Sequence, residues 1–116
     1  MKFKISKEDF IEGLQQVQHV VSNRTTLPIL SNVLLEADGD ALKLTTTDLD
    51  VGVSGSVKAT VSKSGSTTLP ARRLAGIVRE LPSDEVSVEV TAKDVASIKS
   101  GPSFFKILGL SKEEFP

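Results

Sequence analysis

Residues 24–35, RTTLPILSNVLL, carry the chain from one kind of secondary structure into another. Pro28 disfavours helical backbone at Leu27, so a helix that arrives from the N-terminal side must end before this point. The apolar residues that follow suit a strand, with the proline at its first position. We therefore predict a helix and then a strand over Ile29–Glu36, with a single charge, Arg24, at the boundary between them.

The helix before this boundary is predicted to be amphipathic. Ser6 and Asp9 resemble a capping box in which aspartate replaces the usual glutamate or glutamine, after a short strand over Lys2–Ile5. Apolar residues recur at i, i+4, i+7 and i+11, and they are Phe10, Leu14, Val17 and Val21. The opposite face is polar and consists of Glu8, Glu12, Gln15, His19 and Ser22.

After the boundary the chain reads mainly as strands. We predict that Ile29–Glu36 and Ala41–Thr46 form a hairpin around a turn at Asp38 and Gly39. A longer strand follows, in which Val51, Val53, Val57, Ala59 and Val61 face one way and polar residues face the other. A further strand over Thr67–Leu69 begins the second half of the pattern.

A second amphipathic helix is predicted between two prolines. Pro70 suits the first helical position, and Pro82 ends the pattern. The apolar stripe consists of Leu74, Ile77, Val78 and Leu81. Three more strands are predicted after this helix, and they are Val86–Val90, Val95–Ser100 and Phe104–Leu108.

The element order repeats, because each half runs strand, helix and then three strands. This order predicts one α+β domain over residues 1–116, with two helices on one side of antiparallel sheet and possible internal halves 1–62 and 63–116. The length and the 39% hydrophobic and 25% charged composition agree with a single domain. No segment is apolar enough for a membrane span or a signal peptide, so we expect no membrane partner and a cytoplasmic location.

The sequence shows no pattern typical of catalysis or of a cofactor site. The single histidine, His19, has no nucleophile pattern beside it and is most simply a solvated residue. Four aspartates close together could suggest a metal cluster, but their spacing lacks the glycine and distal glutamate of a calcium loop; they are Asp38, Asp40, Asp48 and Asp50. We therefore expect a protein that is not an enzyme and needs neither metal nor cofactor.

The remaining candidates for function are the arginines Arg24, Arg72, Arg73 and Arg79. They are either ordinary solvated side chains or a surface that passes near phosphates without reading bases. The formal net charge of −1 argues against binding nucleic acid by bulk electrostatic attraction, so any such binding must be local or topological.

Three segments identify a family resemblance: RTTLPILSNVLLEA, LTTTDLDVGV and TTLPARRLAGIVRELP. They resemble the first domain of the bacterial DNA polymerase III beta subunit, the sliding clamp, and the likeness covers the whole chain. The resemblance implies two repeated strand-helix-strand units, helices that line a central hole and sheets that form the outer wall. It also implies a ring of two head-to-tail subunits around duplex DNA, with the polymerase and the clamp loader bound by domains that this chain lacks.

Site residues follow from the resemblance position by position. Arg24 and Arg72 match DNA-facing arginines of the family, while Gln15 and Arg79 are added as DNA-facing from helix geometry. Arg73 matches a residue towards the subunit boundary.

The family's subunit interface uses the strand after the turn at Ser100 and Gly101. Phe105 and Ile107 match its apolar contact positions. Pro102 and Phe104 stand where some relatives carry arginines, which implies a more apolar interface. The alternative to a DNA-encircling clamp is a detached clamp-like module that acts only in protein association.

Overall fold

A computed structural model describes residues 1–21 and 27–116. These residues form two α-helices, α1 (Lys7–Gln18) and α2 (Ala71–Arg79), and two short 3-10 helices, Pro28–Ser31 and Lys112–Glu114. The first five strands are β1 (Lys2–Ser6), β2 (Asn32–Asp38), β3 (Ala41–Thr47), β4 (Gly52–Lys58) and β5 (Thr60–Lys63). The remaining strands are β6 (Gly65–Pro70), β7 (Glu85–Val90), β8 (Val95–Ser100) and β9 (Ser103–Leu108).

The strands form two antiparallel sheets. Each sheet contains the strand that leads into the helix of the other half of the chain. Sheet I has the order β5-β1-β7-β8-β9, and sheet II has the order β4-β3-β2-β6. Strand β1 therefore pairs with the meander that follows α2, and β6 pairs with the meander that follows α1. Neither meander is complete without a strand from the other half of the chain. This arrangement confirms the predicted class, an α+β fold with two helices packed on antiparallel sheets.

A single apolar core joins both helices to both sheets. The predicted stripe of α1 is confirmed at Phe10, Leu14 and Val17, which are buried; Val21 is buried too, but it lies beyond the end of the helix at Gln18. Phe10 meets Phe3 of β1 edge to face, with ring centroids 6.3 Å apart. In α2, the stripe is buried except at Ile77, which is half-buried at the margin of the core.

The strand predicted to begin at Ile29 begins three residues later. Pro28 opens a 3-10 helix instead of a strand, a position that suits a residue without a backbone N–H. Strand β2 starts at Asn32, whose buried side chain donates a hydrogen bond to the hydroxyl of Thr68 at 3.0 Å. The apolar run alone could not distinguish these two conformations.

The long strand predicted over Val51–Val61 is two strands in different sheets. Strand β4 ends sheet II at Lys58, and β5 begins at Thr60 on the edge of sheet I. Ala59 connects them and donates its N–H to the carbonyl of Asp40 at 3.0 Å. Because Val57 and Ala59 are both buried, the alternation of burial runs unbroken through the crossover, which is why the sequence pattern predicts one strand.

The last three strands agree with the prediction to within one residue at either end. Val86, Val88 and Val90 face the core from β7, next to β1 on one side and β8 on the other. Within residues 1–21 and 27–116, neither helix has the length and apolar character needed to cross a membrane.

Candidate nucleic-acid interface

The two helices lie side by side in opposite directions. Lys7, the first residue of α1, donates from Nζ to the carbonyl of Leu81, just beyond the end of α2, at 2.8 Å. Arg72, the second residue of α2, donates from Nη2 to the carbonyl of Val21, beyond the end of α1, at 3.3 Å. Because each helix start meets the other helix end, the pair is antiparallel.

An open depression of about 340 Å³ lies between the exposed faces of the helices. We call it the arginine depression, and its lining residues are Gln15, Gln18, His19, Arg72 and Arg79. No carboxylate is among them. In the described part of the chain, the ion pair that the structure contains joins Lys4 to Glu85 on sheet I, so neither arginine of the depression is neutralised by a salt bridge.

This chemistry suits a phosphate backbone. Arginine donates several N–H groups in a planar fork that matches phosphate oxygens, and glutamine amides add neutral hydrogen bonds. The lining contains no phenylalanine, tyrosine or tryptophan on which bases could stack. The arrangement can therefore contact a sugar-phosphate backbone but offers little to distinguish one base from another.

Three of the residues predicted to face DNA come together in this depression: Gln15, Arg72 and Arg79. Arg24 lies outside the described residues. Gln18 and His19 also line the depression, although no sequence pattern indicated a site at Gln18 and His19 was expected to be only a solvated side chain. Helical periodicity could have found both, because positions 15, 18 and 19 are related by i, i+3 and i+4.

Arg73 is exposed on α2 but faces a neighbouring depression. Val21, Ser31, Pro70 and Arg72 line that second depression together with Arg73. Consecutive helix positions differ by about 100° around the axis, so the two adjacent arginines serve different sides of the helix. Arg72 borders both depressions.

Strand β9, on which a subunit interface is predicted, presents different residues at the surface from those expected. Ile107 is only 4% exposed and belongs to the core, and Phe105 is half-buried against it. Phe104 and Leu108, 55% and 74% exposed, stand on the opposite face of the strand. The inward face is occupied by this domain's own core, so a surface contact through the side chain of Ile107 does not fit this position.

Among the aspartates considered as a metal cluster, Asp48 closes a turn. The carboxylate of Asp48 accepts the backbone N–H groups of Val51 at 2.7 Å and Asp50 at 2.9 Å. These bonds favour the charged form and lower the pKa of Asp48. Across residues 1–21 and 27–116, no three acidic or histidine side chains are grouped closely enough to hold a metal ion.

The whole chain, residues 1–116, matches the family model described as DNA polymerase III beta subunit, N-terminal domain. The chain belongs to this family. Among its relatives, the beta sliding clamp of Chlamydia muridarum is 41% identical over 116 residues, which are 100% of this chain and 32% of that protein. The beta sliding clamp of Vibrio harveyi is 38% identical over 117 residues, covering all of this chain and 81% of that sequence.

Solved structures agree with the family assignment. The DNA polymerase sliding clamp from Caulobacter crescentus superposes with a TM-score of 0.95 at 39% identity, over 100% of this chain and 32% of that one. The sliding clamp fold is therefore shared over every described element. This chain spans about a third of the length of the Chlamydia and Caulobacter relatives.

Proposed function

We propose that this chain is one domain of a DNA sliding clamp, a ring that encircles duplex DNA and keeps a replicative polymerase on its template. Within that ring the arginine depression faces the DNA and contacts phosphates through Arg72, Arg79 and Gln15, with Arg24 as a further contact. The single observation that carries the proposal is an arginine pair without lining carboxylates on the helix face of a sliding clamp fold.

The net charge of the chain is easier to reconcile with a ring that encircles DNA than with a protein that binds DNA by electrostatic attraction. A chain with a formal net charge of −1 cannot hold DNA by overall attraction, whereas a closed ring needs only weak contacts to remain on its template. Binding of this kind must be insensitive to sequence for the ring to slide. The domain then has no catalytic role, and its partners are duplex DNA, a second subunit, and the polymerase and clamp loader through other domains.

Ring closure is assigned to the edge of sheet I. Strand β9 is the last strand of that sheet and leaves one row of backbone groups unpaired. We propose that this edge meets a different surface on a second subunit, with Phe105 and Arg73 of α2 contributing. Because Phe104 and Leu108 are exposed along the same strand, the contact is more apolar than an arginine-based one.

Salt dependence in the complete polypeptide tests the DNA face. Arg72→Gln and Arg79→Gln should each lower the slope of log K against log salt by roughly one unit, equally on duplexes of different sequence. Lys43→Gln is the matched control, because it removes the same charge from an exposed position on β3. If the salt slope changed as much for Lys43→Gln as for the arginine variants, the arginine depression would not be part of the surface that contacts DNA.

Topology tests encirclement. The assembled protein should stay on closed circular duplex and leave once the circle is cut. The 116-residue chain on its own should be monomeric by light scattering and should bind linear duplex more weakly than the roughly 10⁻⁴–10⁻⁶ M of non-specific binders. Micromolar binding of linear duplex by the single chain would show that it binds DNA by direct contact and not by encirclement. A stable dimer would show that β9 of one copy pairs with β9 of another.

A further inference from the structure

The first turn of α2 carries positive charge where a helix favours negative charge. The N-terminal end of a helix has a partial positive charge, so cations in the first turn are unfavourable. Yet α2 has Arg72 and Arg73 there, no acidic residue, and no side-chain cap from Pro70. Helix α1 has the complementary deficiency, because its last turn contains no basic residue to meet its partial negative charge.

The antiparallel packing brings a cation from the start of each helix to the end of the other. The guanidinium of Arg72 reaches the C-terminal end of α1 and donates to the carbonyl of Val21. At the other end of the pair, Lys7 supplies the same kind of bond to the carbonyl of Leu81 beyond α2. Helix α1 therefore gains a cation near its C-terminal end from the first turn of α2, whereas α2 carries Arg79 in its own last turn and receives Lys7 as a second cation.

We propose that Arg72 is a positioning residue as well as a phosphate contact. One Nη2–H holds the end of α1 beside the start of α2, and the same side chain lines the arginine depression. The bond fixes Gln15, Gln18 and His19 of α1 relative to the cations of α2. This inference rests on the proposed function only for the identity of the ligand, a DNA phosphate; the link between the helices is independent of it.

The choice of arginine follows from its shape. A guanidinium has five N–H donors in a planar fork, so it can bond a carbonyl and an anion on different sides at once. A lysine ammonium carries its three N–H donors on one nitrogen, so it can meet both acceptors only where they lie close to the same point. Arg79 lines the same depression with the same charge, and the structure gives it no bond to α1 among the described hydrogen bonds. It is therefore a matched control on the same helix.

The experiment compares Arg72→Lys with Arg79→Lys in the complete polypeptide. Both variants keep the charge, so both should keep the salt slope. Arg72→Lys should speed amide hydrogen exchange at the C-terminal end of α1 by about 2- to 10-fold, the effect of losing one hydrogen bond. It should also weaken association with a short fluorescent duplex by about 3- to 10-fold relative to Arg79→Lys. Lys7→Gln should speed exchange at the end of α2, where its own bond is lost, and not at the end of α1.

Each other outcome overturns a defined part of the inference. Equal behaviour of the two lysine variants in both measurements would show that the bond to Val21 positions nothing. Faster exchange without weaker association would make the bond purely structural. Weaker association without faster exchange would make Arg72 a direct contact only. If removing either arginine's charge leaves the salt slope unchanged, the proposed function fails while the exchange result still tests the link.

Discussion

The two helix-containing halves of the molecule reach the same topology from different local signals. In both, a strand leads into a helix and then into a three-stranded meander, and the leading strand pairs with the meander of the other half. Helix α1 is capped by Ser6, whose hydroxyl accepts the N–H of Asp9 at 3.0 Å, and has Glu8 in its first turn. Helix α2 has neither a side-chain cap nor an acidic first turn.

The difference shows which half of the fold is specified locally. A capping serine and first-turn carboxylates stabilise α1 through its own sequence. Helix α2 depends instead on burial of Leu74 and Val78 and on the neighbouring helix. Its first turn is thereby free to carry arginines, of which Arg72 is one of the proposed phosphate contacts. That internal duplication produced the two halves stays a prediction.

The largest expected effect tests whether burial is equal in the two helices despite their unequal caps. Leu14→Ala in α1 and Leu74→Ala in α2 should each lower the free energy of unfolding by about 2–5 kcal/mol, since both side chains are fully enclosed. Ile77→Ala should cost less, because that residue is half-buried. Urea unfolding of the three variants gives the comparison. A small loss for Leu74 alone would mean that α2 packs loosely.

Much of the fold follows from the sequence because its signals are local. The cap at Ser6, the stripe of α1 and the valines of β7 are confirmed, and each depends on spacing within one element. The crossover at Ala59 was not predictable, because the choice between two sheets depends on contacts with β1, distant in the chain.

The candidate site also has features that local sequence predicts and features that it does not. Helical geometry alone indicates that Gln15 and Arg79 lie on outer faces. Their meeting in one depression depends on the antiparallel packing of α1 and α2, which no local pattern encodes. The inward position of Ile107 likewise follows from the pairing of β9 with β8, in which Ile107 lies opposite the fully buried Ala96. The roles assigned to these residues remain predictions.

A smaller effect on stability is expected when the glycine of each helix is replaced by alanine, and the two helices should respond differently. A Cβ on Gly13 of α1 would lie 2.9 Å from Cδ1 of Leu44 and 3.3 Å from Cγ1 of Val57, whereas a Cβ on Gly76 of α2 would meet nothing within 4 Å. Leu44 is fully buried and Val57 is stiff at χ1, so neither can withdraw freely.

We therefore expect opposite signs for the same substitution. Gly13→Ala should destabilise the domain by about 1 kcal/mol net, because overpacking exceeds the gain in helix propensity. Gly76→Ala should stabilise it by about 0.5–1 kcal/mol, because only the propensity changes. Thermal unfolding measured side by side decides the matter. Stabilisation by both would show that sheet II yields to α1 more readily than its burial suggests.

The smallest effect is a response to pH, and it should differ between the last connection of each half, β3 to β4 and β8 to β9. The turn between β8 and β9 reaches positive φ with a glycine, Gly101 at +55°. The connection between β3 and β4 places Leu49 at φ +84°, and the Asp48 carboxylate holds this loop through the N–H groups of Asp50 and Val51. One turn depends on a residue without a side chain, and the other depends on an ionised side chain.

Only the second connection should therefore respond to pH. The bonds from Val51 and Asp50 lower the pKa of Asp48 in the folded chain below its unfolded value, about 3.9. Its contribution is thus complete above that value and is lost as the pH falls through the lowered pKa. Amide shifts of Asp50 and Val51, followed by NMR, should move in that acid range while those of Gly101 and Ser103 stay constant. Asp48→Asn keeps an acceptor oxygen but cannot titrate, so the same step in that variant would assign the response to another group.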